Sequence, residues 1–179
     1  MILAFAHPCL VVPDLERARE FYEQMFGFEV LSREGWSDDP DADLATGLEK
    51  SACHGYMMKG HNCFLELFEF ITPESQGRQP AFLDAHEPGI RHLAFYVDDC
   101  WLEYERLQGL GGIAMGVPAG DAEHGYAVYC RDPFGNIIEL AEIPNPEECP
   151  TRLPGVSQLA GKSEPVQSEG EADASNVLS

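Results

Sequence analysis

The sequence has few basic residues. It contains 11 Lys and Arg against 31 Asp and Glu, which gives a formal net charge of -20 over 179 residues. A chain this acidic repels nucleic acid and anionic lipid surfaces, and it lacks the basic stripe that nucleic-acid binders use. We therefore expect no nucleic-acid partner and no membrane partner.

Long apolar runs and closely paired cysteines are also missing. No apolar run approaches the roughly 20 residues of a membrane-spanning helix, and the start, without Lys or Arg before Cys9, does not read as an export signal. The six cysteines form no Cys-x-x-Cys pair, so free thiols in a reducing cytoplasm are expected. Hydrophobic residues make up 44 % of the chain, which is enough for a sizeable core.

An internal repeat divides the chain into two halves. The segment 7–14 aligns with the segment 92–99, because each is a His, an apolar run and an Asp seven positions on. A helical pattern follows each Asp, from Leu15 to about Phe26 and from Cys100 to about Leu110. Asp14 and either Asp98 or Asp99 suit the N-cap position. Gly27 and Gly109 suit the ends of these helices.

The later parts of the halves also match. His54-Gly-Tyr recurs as His124-Gly-Tyr, and each is followed by an apolar stretch, a turn and a strand that contains Glu-Leu. The pattern predicts an α+β fold of two βαβββ repeats, about 4–72 and about 90–143, inside a domain spanning 1–145. The second strands are placed near 29–33 and 114–117. Outside the repeat, 36–49 is predicted as a loop or short helix, and 146–179 as an acidic, disordered tail.

Four polar residues interrupt the apolar strands at equivalent points of the two halves. Side chains alternate between the faces of a strand, so each His and Glu shares a face with apolar neighbours. An ionised Glu among such neighbours is costly unless it is paired or bound to metal. Two imidazoles and two carboxylates suit one divalent ion, with Ni, Co, Zn, Mn, Mg and Fe all compatible. The predicted ligands are His7, Glu66, His92 and Glu139.

The same alternation predicts the walls of a small-molecule pocket. The apolar and aromatic character of these walls favours a compact hydrophobic or aromatic substrate. His54 and His124 are included as candidate proton shuttles, but a rim or turn role is the preferred interpretation. For Cys9, a small buried hydrophobe is preferred over a contact with the site. The predicted pocket residues are Cys9, Val11, Phe64, Phe68, Tyr96, His54 and His124.

Several motifs in order resemble the vicinal-oxygen-chelate superfamily, which includes glyoxalase I, methylmalonyl-CoA epimerase, extradiol dioxygenases and bleomycin-resistance proteins. They lie at 12–22, 65–67, 90–98 and 132–140, and the resemblance covers about 6–143. It implies eight strands curved into a half-open barrel around one metal ion. It also assigns the four ligand positions to the same two His and two Glu. All four are competent ligands, so the resemblance implies an enzyme.

The implied chemistry is that of a metal-dependent lyase, isomerase or epimerase that moves a proton beside a metal-bound carbonyl. Glu139 is the expected leading base, and Glu66 a ligand and second base. Bacterial glutathione-dependent relatives usually carry Arg and Asn where this chain has Val11 and Phe70, so glutathione is not the expected cosubstrate. Two alternatives stay open: an Fe(II) extradiol-type dioxygenase, and a non-catalytic binding or resistance protein. Relatives often pair, so a homodimer is expected.

Overall fold

The computed structural model describes residues 1–74 and 83–144. Its first unit consists of β1 (Cys9–Val11), α1 (Leu15–Phe26), β2 (Glu29–Trp36), α2 (Pro40–Thr46), β3 (Ala52–Lys59) and β4 (Phe64–Thr72). Its second unit consists of β5 (His92–Val97), α3 (Cys100–Gly109), β6 (Ile113–Ala114), β7 (Ala119–Asp121), β8 (Gly125–Arg131) and β9 (Ile137–Glu142). The predicted α+β fold with two βαβββ units is confirmed.

Each unit forms its own sheet with the same strand order. The orders are β1-β4-β3-β2 and β5-β9-β8-β6, with β7 added beside β8. In each sheet the first and last strands run parallel, and every other pairing is antiparallel. The described residues therefore contain nine strands rather than the eight expected, because a short strand forms in the loop that follows β6.

Helix α1 follows the predicted pattern. The Asp14 side chain accepts a hydrogen bond from Arg17 N, and the helix ends at Gly27, which has a φ of 66°. Such a left-handed residue suits glycine because it has no Cβ to clash. The buried residues of α1 form one apolar stripe, which comprises Leu15, Ala18, Phe21, Tyr22 and Met25.

Helix α3 buries less than its sequence suggests. Asp99, rather than Asp98, caps its start by accepting from Leu102 N. Two of its large apolar residues, Trp101 and Leu102, are 46 % and 58 % exposed. The Trp101 ring instead meets Tyr126 of β8 edge-on, so the helix covers the sheet mainly through Cys100 and Leu107.

One hydrophobic core joins the two units. Phe26 at the end of α1 stacks on Phe95 of β5, with ring centroids 3.8 Å apart. The hydroxyl of Tyr22 donates to Asp132 Oδ2 at 3.0 Å, and neither residue is exposed. Helix α1 therefore packs on the second unit as well as on its own sheet, and this fixes how the units sit together.

Several boundaries differ from the predictions. Strand β1 begins at Cys9 rather than His7, although Glu66 N still donates to Pro8 O. Strand β2 is longer than expected, and β6 covers 113–114 rather than 114–117. The segment 36–49 contains the short helix α2. The predicted tail, 146–179, lies outside the described residues, and among the described helices none could cross a membrane.

Candidate metal centre

The first predicted ligand pair forms beside the β1–β4 junction. His7 Nε2 lies 3.5 Å from Glu66 Oε2, and their side chains are 33 % and 17 % exposed. The pairing of β1 with β4 fixes the position of Glu66, because its Cα is paired with that of Cys9 on the parallel strand. His7 stands two residues before Cys9, so its side chain shares that face of the sheet.

The second unit repeats this arrangement. His92 Nε2 lies 3.1 Å from Glu139 Oε2, and both side chains are about as exposed as in the first pair. Glu139 is paired with Ala94, and His92 stands two residues before Ala94. The two His–Glu pairs are therefore equivalent in register as well as in sequence.

Both pairs lie on the sheet face that points away from the helices. On β1 and β4, Leu10, Val12, Leu65 and Leu67 pack toward the core. Several side chains that share a face with the His–Glu pairs are accessible, although Ile137 on that face is buried. Those exposed by 41 % or more are Val11, Phe64 and Tyr96.

The donor sets fit a divalent metal. Nitrogen and oxygen ligands about 2.0–2.2 Å from one ion lie roughly 3.0–3.5 Å from each other, and both pairs have this spacing. However, each pair supplies only two ligands, and over residues 1–74 and 83–144 no three His, Cys, Asp or Glu side chains converge. The structure thus brings the four predicted ligands together as two pairs. Their union in one site stays a prediction.

The two predicted shuttle histidines lie away from the pairs. His54 on β3 is opposite Glu69 of β4, and the Glu69 carboxylate accepts from Leu15 N of α1. His54 is therefore on the helix side of the sheet, opposite to Glu66. The His124 ring contacts Asp121 Oδ1 at 2.9 Å in an exposed turn. The backbone and ring of His124 lower the pKa of Asp121, so the contacts of His124 are those of a turn residue.

Cys9 lies beside the first pair. Burial of the thiol raises the pKa of Cys9 to about 12, and the neighbouring Glu66 carboxylate contributes to the rise. The thiol therefore stays protonated near neutral pH and acts as a weak donor toward Glu66. A protonated thiol is not a reactive thiolate, and the residue as a whole is exposed, so Cys9 is not the small buried hydrophobe of the sequence interpretation.

Tyr129 lies beside the second His–Glu pair and was not among the predicted pocket residues. Its ring centroid is 5.1 Å from that of His92, and its Cα is paired with that of Glu139. The equivalent position in the first unit is Met57, which is paired with Glu66. Alternation along β8 could have found Tyr129, because the strand is the repeat counterpart of β3.

A wall of aromatic rings flanks the first pair. The Trp36 ring is 5.4 Å from Phe68 and 5.9 Å from Phe70, edge-on in both cases. Trp36 is held by a hydrogen bond from Nε1 to Ser51 Oγ. A cavity of about 250 Å³ opens beside this wall. Its lining residues are Val11, Leu48, Phe70, Pro73 and Glu74.

Known proteins resemble this chain in sequence and in fold. The chain is 29 % identical over 150 residues to a 2-epi-5-epi-valiolone epimerase of an Actinomyces species, covering 79 % of this chain and 80 % of the relative. A glyoxalase family protein from Bacillus cereus superposes with a TM-score of 0.72 at 24 % identity, over 79 % of this chain and 95 % of that chain.

A more distant structure is a fosfomycin resistance protein, FosX, from Listeria monocytogenes, solved with Mn(II) and 1S,2S-dihydroxypropylphosphonic acid. It gives a TM-score of 0.51 at 20 % identity, over 79 % of this chain and 93 % of that chain. The family model of the Glyoxalase/Bleomycin resistance protein/Dioxygenase superfamily matches residues 4–140. This match covers most of the chain and shows that the chain belongs to that superfamily.

Proposed function

We propose that this protein is a metal-dependent isomerase or epimerase that moves a proton at the carbon beside a carbonyl group of a small molecule. The observation that carries the proposal is the pair of equivalent, accessible His–Glu donor sets. The epimerase relative supports the reaction class. A lyase that uses the same proton transfer is the neighbouring alternative.

The four side chains would have different roles in the reaction. A divalent ion held by His7, Glu66, His92 and Glu139 would supply Lewis-acid stabilisation of the negative charge that develops on the substrate. Glu139 would remove and return the proton, and Glu66 would serve as ligand and second base. The two imidazoles would fix the ligand geometry. Mn(II), which accompanies the FosX relative, is the first metal to test.

We further propose that the complete site forms between two chains. Each described unit offers two ligands on an exposed face, and a protein metal site commonly uses three or four. In a two-fold dimer, the first pair of one chain meets the second pair of its partner, and symmetry then creates two identical sites. The exposed Phe64 and Tyr96 would be covered by this association. A cytoplasmic location fits the free cysteines of the described chain.

Mixing two variants tests the shared site. One variant carries His7→Ala and Glu66→Ala, and the other carries His92→Ala and Glu139→Ala. Neither alone should bind metal. After subunit exchange, random pairing should restore about a quarter of the sites, because each mixed dimer has one intact site. Metal per chain is measured by elemental analysis after gel filtration. A single-chain site would give no recovery, and wild-type protein that stays metal-free after reconstitution would overturn the proposed function.

Proton transfer is tested with the metal-loaded enzyme in D₂O. The first trial substrate is 2-epi-5-epi-valiolone, and proton NMR follows both epimerisation and exchange at the carbon beside the carbonyl. Glu139→Gln should slow exchange by about 10²–10⁴-fold while metal content is kept by the other ligands. Full turnover in this variant would contradict the assignment of Glu139 as the base. Oxygen consumption with bound Fe(II) would favour ring cleavage instead.

A further inference from the structure

Over residues 83–144, the second unit has no counterpart of the aromatic wall of the first unit. Segment 37–51, which carries α2, lies outside the repeat and is inserted only between β2 and β3. The equivalent connection of the second unit carries the short strand β7 instead. Any site built from both units is therefore asymmetric, with an apolar side contributed by the first.

The wall is built into the fold and does not depend on chance surface contacts. The Asp43 carboxylate of α2 accepts hydrogen bonds from the backbone N–H of Lys50 and from the N–H and hydroxyl of Ser51, each at 2.7 Å or less. Ser51 is buried and accepts the Trp36 indole N–H at 2.8 Å. This chain of hydrogen bonds holds α2 and the Trp36 ring to the sheet edge.

A glycine makes room for the second ring of the wall. A Cβ added at Gly55 would come 2.3 Å from Phe68 Cδ1 and 2.5 Å from Leu67 O. The Phe68 ring can therefore lie flat across β3 only because position 55 has no side chain. With Trp36 on one side and Phe70 beyond it, the rings form one continuous apolar surface.

The cavity beside this surface shares the face of the first ligand pair. Val11 is two residues beyond Cys9 on β1, and Phe70 is four beyond Glu66 on β4, so alternation puts both on the same side as that pair. At about 3.3 Å per residue, Val11 and Phe70 lie about 7 Å and 13 Å along the strands from Cys9 and Glu66. The stretch between them is therefore about 10 Å from the first ligand pair. Glu74 is its one charged lining residue among those described.

We propose that this cavity is a specificity subsite for an apolar ring or alkyl group of the substrate, carried about 10 Å from the reacting carbon. The inference rests on the proposed function, since it assigns the reacting carbon to the His7–Glu66 pair. It favours a carbonyl compound that carries an apolar ring or alkyl group over a matched compound that lacks this group. The determining residues are Val11, Phe70 and Leu48, with Trp36 and Phe68 behind them.

Metal-free binding tests the subsite separately from catalysis. The chain has two tryptophans, so Trp101→Phe leaves Trp36 as the sole fluorophore. The probes are benzylacetone and butanone, two neutral ketones that differ by one phenyl group. Benzylacetone should change Trp36 emission saturably and bind at least about tenfold more tightly than butanone, because the ring is taken out of water.

Two substitutions and a matched control locate the effect. Phe70→Asn and the more exposed Val11→Asn should each weaken benzylacetone binding by about fivefold or more. Ile71→Asn is the control, since Ile71 adjoins Phe70, points to the other face and is 50 % exposed. Circular dichroism checks that each variant is folded.

The outcomes separate the two proposals. Equal affinity for both ketones, no saturable change in emission, or equal weakening by Ile71→Asn would overturn the subsite. None of these results bears on metal binding, which the variant-mixing experiment tests independently. Selective binding without metal binding would keep the subsite as a ligand pocket and refute its link to proton transfer.

Discussion

The hydrogen bond between Tyr22 and Asp132 offers the sharpest test of how the two units are joined. Tyr22→Phe keeps the ring, which packs edge-on against Phe21 and Phe28, and removes only the hydroxyl. That hydroxyl is wholly buried and donates to a carboxylate oxygen at 3.0 Å. Hydrogen bonds to charged groups contribute about 1.5–3 kcal/mol.

The expected loss lies toward the lower part of that range. Asp132 Oδ2 keeps a second donor, the side-chain amide of Asn136 at 2.7 Å, so the oxygen is not left without a partner. We therefore expect Tyr22→Phe to reduce the free energy of unfolding by about 2 kcal/mol. With a urea m-value of about 2 kcal/mol/M, the midpoint falls by about 1 M.

Tyr56→Phe is the matched control. The Tyr56 hydroxyl also donates to a carboxylate, Glu16 Oε1 at 2.6 Å, but the Glu16 side chain is 60 % exposed. Water can replace that bond, so the control should lose clearly less stability. Both are measured by urea unfolding at one chain concentration, since association would itself stabilise the fold. Equal losses in the two variants would refute the reasoning that the buried bond joins the units.

Three further predictions follow from single contacts. Gly55→Ala should push Phe68 off β3 and cost about 1–3 kcal/mol in urea unfolding, with an altered Trp36 emission; an unchanged spectrum would contradict the packing argument. Asp43→Ala removes the three bonds that hold the end of α2, so amide exchange within 40–51 should accelerate while that of β9 stays unchanged. Burial raises the pKa of Asp132 above its ordinary value of 3.8. The protonated carboxyl therefore contributes its full stabilisation of the fold below pH 3.8, and this contribution is lost as the pH rises through the pKa of the folded state. The stability difference between wild type and Asp132→Asn should therefore move in favour of the variant above about pH 4; a pH-independent difference would contradict a raised pKa.

The sequence alone was sufficient for the features that depend on local periodicity. The bounds of α1, its cap at Asp14 and its end at Gly27 follow from a 3.6-residue pattern and capping chemistry. The alternation of faces along β4 follows from the two-residue period of a strand. The internal repeat also predicted that the His and Glu residues occupy equivalent positions in the two units, and the equal strand register agrees with this.

The tertiary structure decided what the local pattern leaves open. Whether four ligands form one group depends on how two units pack, and that is fixed by distant contacts such as Phe26 on Phe95. The side of the sheet on which His54 lies depends on the pairing of β3 with β4, since a shift of one residue moves a side chain to the other face. The apolar wall at Trp36 needs α2 to fold back on the sheet edge. Periodicity carries no information about such long-range contacts, whereas packing and strand register determine them.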